Sequence, residues 1–171
     1  MAAKKFLTII SGVKTLISAL TMSSGAGDEG NLVALNSAGK IDTTMMPAGV
    51  GADTCVVNAS ETLAAGDMVN IWDDAGTVKA RKADATAAGK EVDGFVDAGV
   101  TSGAAATVIL DGTLAGLSGL TKGATYFLST TPGAITATAP STAGNVYQPV
   151  GKAKSATELI FELGEPITIG A

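Results

Sequence analysis

The chain has 171 residues, a formal net charge of −5 and no histidine, so the commonest general base and the commonest metal ligand are both absent. Charged side chains are only 16% of the total and the mean hydropathy is +0.36, which excludes a solvating disordered tail. One cysteine, Cys55, excludes an internal disulfide and, with no histidine to pair with, a papain-like nucleophile.

The length suits one core domain plus an appendage. Aromatics are few and glycines number 22, which favours tight turns and close backbone approach in an all-β fold. Charge is uneven. Before Ser23 the only ionisable side chains are Lys4, Lys5 and Lys14, whereas the remainder carries 8 basic and 16 acidic residues. A basic start on an acidic body points to an acidic protein surface as its partner.

In chain order, the first segment places Phe6, Ile9, Val13, Leu16 and Leu20 at spacings of three and four, with Ile10 and Ile17 widening the stripe. This spacing predicts a short amphipathic helix over residues 1–22, although Gly12 and several β-branched residues weaken it. Lys14 interrupts the apolar run too early for a secretion signal, and no small-x-small cleavage site follows. The run also falls short of the roughly 20 residues a spanning helix needs, so no membrane partner is expected. The expected role is docking, through Lys4, Lys5, Phe6, Ile9, Val13, Lys14, Leu16 and Leu20.

Residues 23–53 read as a linker and an extended arm. "SSGAGDEGN" (23–31) is a flexible break by composition. Its "GAGDEG" resembles a phosphate-binding loop only in its glycines, since no strand precedes it and no helix follows. Leu32, Val33 and Leu35 then lead into "NSAGK" and Ile41, where Gly39 can take the positive φ of a small hairpin. Met45, Met46 and Pro47 close the unit, and "AGVGAD" loosens the chain again. With too few apolar side chains for its own core, the arm is expected to order against a neighbour. Its contact residues would be Leu32, Val33, Leu35, Ile41, Met45 and Met46.

From about residue 54 to 171 strand and turn signals repeat. "TCVVN" carries Cys55 as a structural thiol within a strand. "MVNIW", Asp73-Asp74-Ala75-Gly76 and "TVKAR" read as a hairpin, with the aspartates as turn residues rather than metal ligands. "EVDGFVDAGV", "AATVIL" and "ATYFLS" continue the series. Thr131-Pro132-Gly133-Ala134 reads as a type II turn. "AITATA", "NVYQPVGKA" and "ELIFEL" complete nine to eleven strands. The predicted fold is mainly β: a compact β-sandwich or barrel preceded by the short helix and the arm.

No catalytic, cofactor-binding or metal-binding motif emerges. Asp93 and Asp97 could serve glycoside hydrolysis only across a suitable cleft. Trp72 and Tyr126 could line a pocket or anchor a core of small side chains. The body has no basic stripe with interleaved aromatics, so nucleic acid is not an expected partner.

Residues 92–140, "VDGFVDAGVTSGAAATVILDGTLAGLSGLTKGATYFLSTTPGAITATAP", with the later "QPVGKAKSATELIFE", resemble small β domains of tailed-bacteriophage virion proteins. These include head decoration (cement) proteins and domains attached to tail fibres. "LVALNSAGKIDTTMMP" is similar to phage-fibre linkers that pack in a multimer. The resemblance implies a non-enzymatic structural protein without cofactor, made in the host cytoplasm and carried on the outer surface of the virion head. It further implies association as trimers, sometimes dimers, and bridging of neighbouring major capsid proteins. The alternative it leaves is a small tail-fibre, fibre-attachment or baseplate protein that binds a host or tail component.

Overall fold

The structure, a computed structural model, describes residues 5–46 and 53–170. Lys4, Pro47 and most of the "AGVGAD" stretch lie outside the described residues. The chain divides into two compact units, Met1–Gly51 and Ala52–Ala171. As expected, the fold is mainly β.

The first unit overturns the expected N-terminal helix. Strands β1 (Lys5–Ile10) and β2 (Val13–Ser18) form an antiparallel hairpin, paired from Lys5 with Ser18 to Ile10 with Val13. The two-residue loop is Ser11-Gly12, with φ of 50° and 81°. Two successive positive φ values are the mark of a type I′ turn, whose twist matches that of the strands it joins. Thr8, Ile9, Ile10, Val13, Thr15 and Ile17 supply the β-branched side chains that favour strand over helix.

After the hairpin, backbone bonds knit the segment together without regular strands. Leu20 N–H donates to Leu32 O at 2.8 Å and Ala34 N–H to Leu20 O at 2.7 Å, which makes a parallel bridge between Leu20 and Val33. The "SSGAGDEGN" stretch carries hydrogen bonds of its own. The Asp28 carboxylate accepts from Ser24 N–H at 2.6 Å, and a three-residue 3-10 turn spans Ala26–Asp28. Asn36 closes the next loop: its Oδ1 accepts from Ala38 and Lys40 N–H, and its own N–H donates to Lys40 O at 2.8 Å. Gly39 takes the expected positive φ, 72°, but no strands flank the loop. A second 3-10 turn, Thr43–Met45, precedes Met46.

The second unit contains β3 (Thr54–Ala59), β4 (Met68–Asp74), β5 (Thr77–Lys82), β6 (Gly94–Phe95) and β7 (Ala105–Ile109), which close into a five-stranded barrel in the order β3-β5-β4-β6-β7. The β3–β5 pairing is parallel and the others are antiparallel. So narrow a barrel is filled by small and medium aliphatic side chains. Ala59, Ala80 and Ala106 share its interior with Leu63, Val69, Val96 and Val108.

Strands β8 (Gly112–Ala115), β9 (Thr125–Leu128), β10 (Ile135–Thr136), β12 (Pro149–Ala153) and β13 (Glu158–Phe161) form a sheet in the order β10-β9-β12-β13-β8. The short strands β11 (Val146–Tyr147) and β14 (Ile167–Thr168) pair separately. Alternation along β9 and β13 turns Tyr126, Leu128, Leu159 and Phe161 inward. They meet Met68, Val92 and Phe95 in the larger core cluster, where the Phe95 and Phe161 rings cross edge to face at 5.0 Å. Each fully buried side chain of this kind contributes roughly 1.5–3 kcal/mol. The turns expected at Ala75-Gly76 and Pro132-Gly133 are present, with φ of 52° and 88° at the first and 78° at Gly133.

Candidate functional site

Every buried side chain among the described residues belongs to the second unit. Conversely, of the seventeen exposed large apolar residues among those described, twelve lie between Phe6 and Met46. The candidate site is therefore the first unit, whose apolar surface has no core of its own. A two-stranded hairpin of this length is at best marginal in water without a packed face.

The register distributes the expected docking residues differently from a helical stripe. Lys5, Leu7, Ile9, Lys14, Leu16 and Ser18 share one face, and Phe6, Thr8, Ile10, Val13, Thr15 and Ile17 share the other. Ile9 and Leu16 thus face away from Phe6 and Val13, because strand side chains alternate with period two. Leu20 lies beyond the hairpin, half-buried in the bridge to Val33. Leu7, which sequence reasoning passed over, is as open as Ile9, at 65% and 67% exposure. The Ser11-Gly12 dipeptide between two β-branched runs was the signal that could have found this arrangement.

Of the expected arm contacts, Leu32, Val33, Leu35, Ile41 and Met46 are exposed and Met45 is half-buried. Local polar bonds fix the backbone that carries them. Ser24 N–H, then its hydroxyl, with that of Ser23, hold the Asp28 carboxyl below the ordinary carboxylate range. The Thr44 hydroxyl and N–H do the same for Asp42, and the Thr44 hydroxyl also accepts from Ser23 N–H at 2.9 Å. The carboxylates here act on their own turns.

In the second unit the residues that could carry chemistry are tied into the fold. Tyr126 is buried, and its hydroxyl accepts from Thr121 N–H at 2.9 Å. Trp72 is half-buried beneath the Arg81 guanidinium, 4.4 Å from its ring centre. Arg81 Nε donates to Asn70 Oδ1 at 2.9 Å, and Asn70 Nδ2 donates to Asp93 at 3.2 Å. Asp93 also accepts from Ile71 N–H at 2.7 Å. Burial pushes its carboxyl above the ordinary value; Glu91 adds to the push, and the bonds from Ile71 and Asn70 oppose it. Asp97 is exposed.

Asp73 accepts from Gly76 N–H at 2.8 Å and Asp74 pairs with Lys79 at 2.7 Å, the turn roles expected for them. Cys55 is half-buried against the barrel core, and burial, then Asp53 and Asp93, push its thiol up, away from the reactive thiolate. Among the described residues, no group of three or more Cys, Asp or Glu could hold a metal ion, and no helix is long and apolar enough to cross a membrane. An open groove of about 300 Å³ runs beside Pro149, Lys152, Glu162 and Leu163, and neither Trp72 nor Tyr126 lines it.

No protein-family model matches the chain, and no curated protein matches it either.

Proposed function

We propose that the chain is a non-enzymatic virion structural protein: a decoration (cement) protein on the outer surface of a tailed-phage head that bridges major capsid proteins. The observation that carries this reading is the contrast between the two units. One has a packed β core and is built to persist; the other is apolar, hydrogen-bonded in its turns and without a core. A protein that stiffens a shell needs such a pair, a durable body and an attachment piece that completes its packing on a neighbour. Several modest contacts, repeated over a lattice, then give strong attachment by avidity.

The lysines suit the same role. Lys5 and Lys14 flank Leu7, Ile9 and Leu16, an apolar centre with cationic corners that fits an acidic protein surface. The chain would be made in the host cytoplasm and function without cofactor, membrane or nucleic acid. The alternative, a small tail-fibre, fibre-attachment or baseplate protein, would draw support from an aromatic-lined pocket. Tyr126 is buried and Trp72 lies under Arg81, so no observation favours it.

The test is reconstitution. Purified chain is added to phage heads that lack it, and bound protein is located by imaging the particles. Wild-type chain should give ordered density on the head lattice, and the double variant Leu7→Asp, Leu16→Asp should bind at least about tenfold more weakly with its β body intact. Density confined to the tail, or undiminished binding by the variant, would overturn the proposal.

A further inference from the structure

Asp-Gly occurs twice in the chain, at Asp93-Gly94 and at Asp111-Gly112. It is the dipeptide at which a polypeptide most readily rearranges unaided, because glycine has no side chain to shield its nitrogen. The glycine nitrogen attacks the aspartic acid Cγ and closes a five-membered succinimide. The carboxyl hydroxyl leaves with the amide proton as water. Water then opens the ring at either carbonyl. One product is aspartate again; the other is isoaspartate, whose main chain runs through Cβ and Cγ and whose α-carboxylate is free. Water is the only co-reactant, and nothing is oxidised or reduced.

The fold treats the two copies differently. Gly94 is buried in β6, which pairs with β4 on one side and β7 on the other. A Cβ there would stand 2.6 Å from the Ile109 carbonyl oxygen, so the backbone has little room to turn. The Asp93 N–H donates to Val69 O at 2.9 Å, and its carboxylate is held by the Ile71 N–H and by Asn70. Burial favours the protonated carboxyl at Asp93, which is the better electrophile. Ring closure, however, needs both that carboxyl and the Asp93–Gly94 peptide to turn, and those bonds oppose it. Asp111 and Gly112 are both exposed, and nothing lies within 4 Å of a Cβ at Gly112. Gly112 opens β8, an edge strand of its sheet, and its pairing with Phe161 is the end pair of that ladder. Its φ of 131° suits glycine and few other residues, so the fold calls for the residue that leaves the attacking nitrogen bare.

We propose that Asp111-Gly112 is a self-modification site, at which the folded protein accumulates isoaspartate while Asp93-Gly94 stays intact. Ring closure needs a locally open chain, and the free energy of opening runs from near zero at frayed ends to the global value in central strands. The end pair of an edge strand stands at the low end of that range and β6 at the high end. The product has a consequence for the body. Isoaspartate inserts one carbon into the main chain immediately before β8, whose Leu114 is 1% exposed within the larger core cluster. Leu114 keeps that place only in the present register of β8 against β13. The body therefore loosens as the chain ages. The inference does not require the capsid reading and stands if that reading fails.

The test ages the full chain at neutral pH and physiological temperature in water enriched in heavy oxygen. Each succinimide opening leaves one heavy oxygen at the residue that formed it, and an endoprotease that cuts before aspartate does not cut before isoaspartate. After digestion, the uncut and heavy junction at Asp111 should accumulate at least about tenfold faster than the one at Asp93. In concentrated urea, where neither pair is held, the two rates should agree within about threefold. Asp111→Glu keeps the charge but would have to close a six-membered ring, which forms far more slowly. That variant should keep its melting temperature on ageing, whereas the wild type's should fall as its uncut fraction grows. Equal rates at the two sites in the folded chain, or no isoaspartate at Asp111, would overturn the proposal. So would a rate ratio that urea leaves unchanged, since the flanking sequence and not the fold would then set it. Isoaspartate at Asp111 in chains that melt as freshly made ones do would overturn the coupling to Leu114.

Discussion

Gln148 holds both backbone groups of Val92: its Oε1 accepts from the Val92 N–H at 2.8 Å and its Nε2 donates to the Val92 carbonyl at 3.1 Å. The side-chain amide acts as a one-residue strand partner, 2% exposed, and joins segments 56 residues apart. Gln148→Leu fills similar space but strands a buried donor and a buried acceptor, each costing about 1–3 kcal/mol. Urea unfolding of the variant should show a loss of about 2–4 kcal/mol with an unchanged slope. Gln148→Glu should be similarly destabilised at neutral pH, because a carboxylate can take the Val92 N–H but offers nothing to its carbonyl. Wild-type stability in either variant would mean that water replaces the amide.

Gly151 marks a register shift in β12, where a Cβ would stand 2.1 Å from the carbonyl oxygen of Ile160 and the backbone φ is 148°. Neither strand can yield without breaking the pairing of β12 with β13. Gly151→Ala should therefore cost on the order of 3 kcal/mol, combining backbone strain with a steric shift. Gly103→Ala is the matched control: its φ of 83° is also positive, but nothing lies within 4 Å of the added Cβ. It should cost only about 1 kcal/mol. Thermal melts of the two variants, compared with wild type, separate space from conformation.

Local chemistry explains which parts of this fold were legible in the sequence. Asp73-Asp74-Ala75-Gly76 and Thr131-Pro132-Gly133-Ala134 carry their turn instructions within four residues, and both turns form. The edge strand β8 and the two-residue β14 have no alternating run of their own and form because partners pair with them. The barrel closes through a parallel β3–β5 contact that no local pattern encodes. At the candidate site the apolar residues were legible but their arrangement was not. A hairpin apolar on both faces also places Phe6, Ile9, Val13 and Leu16 at helical spacing, and the deciding features were Ser11-Gly12 and the β-branched residues around it.

Asp93 should give the β body a distinctive acid response. Its carboxyl titrates above the ordinary value of 3.8, chiefly through burial. The folded protein therefore holds that proton more tightly than the unfolded chain does. As pH falls from neutral through the raised value towards 3.8, this group adds stability; as pH rises through the raised value, that contribution is lost. Asp93→Asn removes the titration and keeps an acceptor for the Ile71 N–H. The stability difference, wild type minus variant, should rise in the wild type's favour as pH drops across that window. A difference that is flat with pH, measured by urea unfolding, would contradict the assignment.

The Ser11-Gly12 turn offers a way to strengthen the candidate site without touching either of its faces. Ser11 adopts φ 50° and Gly12 φ 81°, the left-handed region that Asn enters more readily than Ser. Ser11→Asn creates the preferred Asn-Gly pair of a type I′ turn and should stabilise the hairpin by several tenths of a kcal/mol, on the order of 0.5. Gly12→Val places a β-branched residue where φ must be positive and should open the turn, at a cost of about 1–2 kcal/mol. Nothing lies within 4 Å of a Cβ at Gly12, so the loss would come from backbone conformation alone. Hydrogen exchange at the Phe6 to Ile17 amides is the direct readout, with protection raised in the first variant and lost in the second. Because the β body has its own core, its melting should be unchanged in both, and a parallel loss there would show that the two units do not fold separately.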